Sequence, residues 1–211
     1  MKMLDVKSLR LPEVKVIKYG RFRDYRGYFT ETFQSSDIIR DCPEISIERG
    51  MNGFSQVNES VSKAGTFRGF HFQHSPFMGK LVRPVTGKLI DFAMDIRKNS
   101  VNFGKIIAYE ISANPDADFG EWIWIPVGFA HGMLLPEDSI IEYFCSGTYN
   151  PNAEICISPF DPEIDWSFCE SNLKKQFDKI VPTTSLISEK DKNGIRLQNW
   201  KNHQSFELFK V

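Results

Sequence analysis

The 211-residue chain is 41% hydrophobic and 25% charged, with a formal net charge of −1. That length and apolar content can bury a sizeable core as one domain, or one domain with a tail, and the charge balance gives no footprint for nucleic acid or an anionic membrane. The opening segment, MKMLDVKSLRLPEVKV, is too polar for a signal peptide, and no apolar run approaches a membrane span.

Cys42, Cys145, Cys156 and Cys169 stand far apart without CxxC spacing, so free thiols in a reducing cytoplasm are expected. In chain order, Glu13 to Ile17 alternates as a strand, and DYRGYFTETF resumes after a turn at Asp24 to Gly27. Ser36 to Cys42 reads as a short helix stopped by Pro43. Lys80 to Thr86 and Lys88 to Ile96 read as a hairpin about Thr86-Gly87, with Pro84 interrupting its first strand. In its second strand Ile90, Phe92, Met94 and Ile96 share one face, and Leu89, Asp91, Ala93 and Asp95 the other. Glu121 to Pro126, Gly132 to Leu135 and Ile140 to Cys145 continue the strands, and Asn150 to Asn152 and Asp161 to Glu163 are turn clusters. Many short strands with Gly/Pro punctuation predict an all-β barrel or double-sheet jelly roll over residues 1–170. Residues 171–211 are expected to form an extension packed on it, with a helix over Ser171 to Phe177.

The stretch GTFRGFHFQHSPFMGK holds His71 between two cations, Arg68 and Lys80. A possible base flanked by fixed positive charge suits removal of a proton next to a carbonyl and stabilisation of the oxyanion that results. Strict alternation puts Arg68 and His71 on opposite faces, so a bulge near Gly69 is required if both serve one site. His131 lies in PxGxxH, the spacing of the second metal motif of cupin barrels. The first motif needs HxH and a following glutamate, whereas here the chain reads His71-Phe72-Gln73 and then Lys80, so no metal or other cofactor is expected. Tyr143 and Tyr149 flank a Ser146-Gly147 turn; either reads as an ordinary strand aromatic or as a proton-donating phenol.

From about Val16 to about Leu197 these segments resemble the dTDP-4-dehydrorhamnose 3,5-epimerase family of metal-free cupin-type enzymes. DYRGYFTETF is similar to its D-x-R-G-x-F-x-E segment, SQVNES to Q-x-N-x-S, and GTFRGFHFQ…KLV to R-G-L-H-x-Q…K-L-V. DFAMDIR…SVNFG, IPVGFAHGM, EYFCSGTYNP with Glu154, and SEKD match in order and spacing. The resemblance implies a cupin-type double-stranded β-helix and a homodimer, with the N-terminal strand exchanged between subunits. It implies His71 as general base, Asp191 as the carboxylate that orients it, Tyr143 as proton donor on the opposite ring face, and Lys80 with Arg68 as enolate stabilisers. His131 and Asp91 would line the pocket and Tyr149 pack on the ligand. Arg26, Phe29, Glu31, Gln56, Asn58, Glu154 and Lys190 would contact a nucleotide-linked sugar, Arg26 and Glu31 in cis or across the dimer. Met78 stands where the family commonly has glutamine, Lys190 where arginine is frequent, and Val101-Asn102 replaces Pro-Thr. The expected reaction is epimerisation of a dTDP-linked 4-keto-6-deoxyhexose at C3, C5 or both. A mono-epimerase acting on a CDP-, GDP- or dTDP-linked sugar, and a non-catalytic sugar-binding cupin, are the alternatives.

Overall fold

A computed structural model describes residues 1–47 and 53–210 of the chain. Two antiparallel sheets face each other. The six-stranded sheet runs in the order β1 (Met3–Ser8), β2 (Lys15–Gly20), β10 (Phe119–Ile125), β7 (Lys80–Thr86), β12 (Ser139–Cys145), β5 (Gln56–Ser62). The five-stranded sheet runs β13 (Glu154–Cys156), β6 (Thr66–Gln73), β11 (Phe129–Leu135), β8 (Lys88–Asp95), β9 (Ile106–Ser112). A small hairpin, β3 (Phe22–Asp24) and β4 (Gly27–Phe29), stands apart from both. This is the jelly-roll architecture that the strand spacing predicts.

Three apolar layers result. Leu89, Ala93, Val82, Ile123, Ile141 and Phe129 pack between the sheets. On the outer side of the five-stranded sheet, Ile90, Phe92, Met94 and Ile96 meet Leu173, Phe177, Leu197, Trp200 and Phe209 of the C-terminal segment. Strand β8 is therefore buried on both faces, and its alternation separates two cores instead of core from solvent. The covering segment contains α3 (Ser171–Ile180), α4 (Glu189–Lys192) and α5 (Leu197–Lys201). Leu173 and Phe177, four residues apart, form the buried stripe of α3. The outer face of the six-stranded sheet is covered near Ile17, Leu81, Trp122 and Trp124 by Ile38 of α1 (Ser35–Asp41) and Ile45 of α2 (Pro43–Ile47).

Several local expectations are corrected. Pro43 does not merely stop a helix. It opens α2, where its fixed φ and missing N–H suit a first helical turn. Strands β7 and β8 do not form a hairpin. Strand β7 pairs with β10 and β12, β8 with β11 and β9, so Thr86-Gly87 is a corner between sheets. Gly87 takes that corner at φ +74°, with Asp138 O 2.5 Å from where a Cβ would stand. Pro84 does not break β7. It lies opposite Ile141, beside the register shift between Ile140 and Ile141 that accommodates it.

The bulge required by the spacing of Arg68 and His71 is present. His71 pairs with His131 and Arg68 with Met133, so three steps on β6 match two on β11. Gly69 has φ +130°, and a Cβ there would stand 2.6 Å from Gly132 Cα and 2.7 Å from His131 O. Backbone blocks that space, so Gly69→Ala is expected to destabilise the fold by at least about 2 kcal/mol. A urea-unfolding midpoint unchanged from wild type rules out this close packing.

Candidate active site

A cavity of 540 Å³ opens where the bulge turns Arg68 and His71 to one side. From the five-stranded sheet, β6 contributes Arg68 and His71, β11 His131 and β13 Glu154. From the six-stranded sheet, β7 contributes Lys80, β12 Tyr143 and β5 Asn58. Tyr149 closes one side, and Lys190 and Asp191 enter on α4.

Helix α4 is only four residues long, and Ser188 defines it by accepting the Asp191 N–H at 3.0 Å. That cap turns the Asp191 side chain back onto the barrel. Its Oδ1 lies 2.7 Å from His71 Nε2, and its Oδ2 accepts the Gly69 N–H at 3.4 Å. Burial pushes the Asp191 carboxyl up, but the His71 contact and the Gly69 and Ser188 hydrogen bonds outweigh burial and hold it below its usual range. An ionised carboxylate can only accept, so His71 Nε2 carries a hydrogen, and in the neutral ring the lone pair is on Nδ1. Glu154 Oε1 lies 3.9 Å from that Nδ1. Burial also opposes ionisation of Glu154, yet Lys190 and His71 hold its carboxyl below the usual range. Tyr149 OH donates to Glu154 Oε2 at 3.2 Å, and Lys190 Nζ pairs with the same oxygen.

The opposite wall is differently charged. Burial pushes the Lys80 ammonium down, against the attraction of Cys145, Glu154 and Asp91, and its Nζ forms no hydrogen bond or ion pair with any described residue. Arg68 donates to Ser62 Oγ through Nε and Nη2, each at 3.2 Å. Tyr143 sits opposite Asn58 in the β12–β5 ladder. Burial pushes its phenol up, and a hydrogen bond from Asn58 offsets part of that rise.

His131, opposite His71, lies 2.9 Å through Nε2 from Asp91 Oδ2, and both residues are buried. Burial moves the two towards their uncharged forms, Asp91 upward and His131 downward. Asp91 Oδ1 is buried without a partner. Asp91 thus stands behind His131, whereas Asp95, on the same strand face, is tied up by Arg97 and Ser100.

Gln56 touches the site indirectly, accepting the Tyr149 N–H at 2.9 Å and donating to Asn58 at 2.8 Å. Three residues singled out in the sequence are not brought to this cavity within the chain. Arg26 pairs with Asp24, Phe29 is 67% exposed, and Glu31 binds the Met1 amino group at 2.8 Å. Thr66, Phe67, Met133, Leu186 and Ser188 line the cavity unannounced by sequence reasoning. Ser188 left a signal, since Ser followed three residues later by an acid marks a helix start. The apolar lining residues left none.

A family model described as dTDP-4-dehydrorhamnose 3,5-epimerase matches residues 8–199. The chain belongs to that family. It is 36% identical over 187 residues to the dTDP-4-dehydrorhamnose 3,5-epimerase of Sinorhizobium fredii, covering 87% of this chain and 85% of that one. With the enzyme of the same name from Methanothermobacter thermautotrophicus it shares 38% over 181 residues, 84% and 86% of the two chains. Among solved structures it is similar to the dTDP-6-deoxy-D-glucose-3,5-epimerase of Legionella pneumophila in complex with dTDP-4-keto-L-rhamnose. The TM-score is 0.77 at 29% identity, covering 98% of this chain and 97% of that one. The cupin-type epimerase fold and the isomerase class follow from this membership.

Asp191 and Glu154 are held below ordinary values of 3.8 and 4.5, so the folded state binds fewer protons at these groups than the unfolded chain. Their stabilisation is complete above those values and is lost as pH falls through the lower folded-state ones. The Tm is therefore expected to drop as pH falls below 4.5, and less steeply in Glu154→Gln. Calorimetry across the acid range reads this, and identical acid limbs in both proteins contradict it.

Proposed function

We propose that this isomerase inverts carbons beside the ketone of a dTDP-linked 4-keto-6-deoxyhexose, at C3 and C5, through an enolate. The observation that carries the reading is that His71 with Asp191, and Tyr143, line one cavity from opposite sheets. A sugar ring between them presents one face to the imidazole and the other to the phenol. In this scheme Nδ1 of His71 takes the α-proton, and Asp191, with Glu154 nearby, supports the imidazolium that forms. Tyr143 returns a proton to the opposite face, and Lys80, with Arg68, stabilises the oxyanion. The phenol is a weak acid comparable with an enol, which suits it to this transfer. His131, backed by the buried Asp91, completes the wall, and Tyr149 packs on the ligand. Gln56, Asn58, Glu154 and Lys190 contact the nucleotide sugar. The substrate class is supported by the curated relatives and by the ligand of the Legionella enzyme.

Incubation with dTDP-4-keto-6-deoxyglucose in deuterium oxide tests the scheme by proton NMR. Label is expected at both C3 and C5. His71→Asn should abolish exchange, and Tyr143→Phe should slow epimerisation by about 10²–10⁴-fold, the usual contribution of a positioned proton donor. Full exchange in His71→Asn rejects the assigned base, and label at one carbon only makes the chain a mono-epimerase.

The assembly is a homodimer in this reading, and its setting the cytoplasm. Exposed Phe22, Tyr25, Tyr28 and Phe29 on the β3–β4 hairpin, with Val57 and Val61 on the edge strand β5, support self-association. The four cysteines are unpaired and buried, and no helix among the described residues is long and apolar enough to cross a membrane. Arg26, Phe29 and Glu31 then complete the neighbour's site. Co-expressed Arg26→Ala and His71→Asn chains are expected to regain activity that neither variant has alone, because one site of the mixed dimer holds both side chains intact. Recovery of no activity, with mixed dimers present, places Arg26 in its own subunit's site.

A further inference from the structure

Cys156 has no task in the proton-transfer scheme, yet it sits against the centre of it. It occupies β13 directly opposite His71 on β6 and is buried. Its Sγ is 3.8 Å from Asp191 Oδ1, the oxygen that lies 2.7 Å from His71 Nε2. One ligand atom from each of the three side chains falls within 4.8 Å of the others. The atoms are a nitrogen, a sulfur and an oxygen, and they come from three elements: β6, β13 and α4.

Tetrahedral zinc with bonds of about 2.0–2.3 Å separates neighbouring ligand atoms by roughly 3.3–3.8 Å. The Cys156–Asp191 separation of 3.8 Å is already at that spacing, the His71–Asp191 contact of 2.7 Å has to widen by less than about 1 Å, and the third separation is at most 4.8 Å. We infer that His71, Cys156 and Asp191 form a binding site for a soft divalent cation of the zinc type, and that its occupation switches the catalytic base off. A thiolate ligand favours such a cation over magnesium or calcium, which prefer oxygen alone. His71 and Asp191 line the cavity, with Cys156 buried behind them, so a water completing the coordination would come from the cavity side.

The chemistry balances without any redox change. The metal bonds to the His71 Nε2 lone pair, so the hydrogen on Nε2 relocates to Nδ1 and the ring stays neutral. The thiol bonds as thiolate and releases its proton to solvent. Asp191 exchanges a hydrogen bond for a metal bond. One proton leaves per metal bound, and Nδ1, the acceptor of the proposed reaction, is now protonated. The loss of activity rests on the epimerase reading; the binding does not.

The ordinary alternative is that Cys156 is a small buried group with a weak S–H donor. Chelator-treated full-length protein titrated with Co²⁺ separates the two. One equivalent is expected to bind with a thiolate-to-metal charge-transfer band, displaced by Zn²⁺, with about one proton released per zinc in weak buffer. Zn²⁺ should stop solvent deuterium exchange reversibly, and a chelator should restore it. Cys156→Ser should keep metal-free turnover, lack the band, and need at least roughly tenfold more Zn²⁺ for inhibition. If the serine variant folds poorly, Cys156→Ala serves for the same readings. A cobalt spectrum without the sulfur band, or equal zinc sensitivity in the variant, overturns the inference. Because the cobalt titration needs no turnover, it stands even if the substrate assignment fails.

Discussion

A carboxylate from the C-terminal segment reaches an imidazole from the barrel, and the 2.7 Å contact between Asp191 and His71 depends on every layer of the fold. Asp191 arrives because Ser188 starts α4 next to β6. Helix α4 lies there because the neighbouring C-terminal helices bury Leu173, Phe177 and Trp200 against the outer face of the five-stranded sheet. His71 meets Asp191 because the Gly69 bulge resets the side-chain phase of β6, and the same bulge aims the Gly69 N–H at Asp191 Oδ2. A cover that stabilises the sheet thus also fixes the tautomer of the imidazole. Packing on the outside of the barrel and proton chemistry on the inside are joined through one side chain.

Two facing sheets suit an inversion at carbon. Proton removal and proton return must happen on opposite faces of a ring, and a double-sheet barrel offers two walls by construction. His71, Arg68 and Glu154 come from one sheet; Tyr143, Lys80 and Asn58 come from the other. The walls also differ electrically. Near His71 lie Asp191 and Glu154, both held ionised, which favours an imidazolium. On the far wall a half-buried phenol and a half-buried ammonium face the cavity, which favours charge developing on a substrate oxygen.

Much of this was legible in the sequence because it rests on local chemistry. Strand positions followed from alternation and Gly/Pro punctuation, and the Gly69 bulge followed from requiring Arg68 and His71 in one site. What failed was pairing. Lys80 to Thr86 and Lys88 to Ile96 look like a hairpin, since a Thr-Gly corner between sheets carries the same local signal as a turn within one. The two buried faces of β8, one of them carrying Asp91 and Asp95, gave no sign of which covering each would receive, because burial on both sides removes the contrast that marks an outer face. Pro43 reads as a stop because proline ends one helix and begins the next with equal ease. The apolar lining, Phe67, Met133 and Leu186, was silent because a cavity wall and a core position demand the same residue types.

Lys80 and Lys190 show how the site divides its positive charge. Lys190 is paired with Glu154 before any ligand arrives, so an incoming anion must compete for it, and its contribution belongs to binding. Lys80 has no such partner among the described residues, and burial already weakens its hold on a proton. A desolvated, unpaired cation is costly in the resting protein. That cost is offset when negative charge appears within reach, and in the proposed reaction the charge appears on the enolate oxygen, not on the neutral ketone. Lys80 therefore interacts more strongly with the transition state than with the substrate, which is the condition for raising kcat instead of only tightening binding.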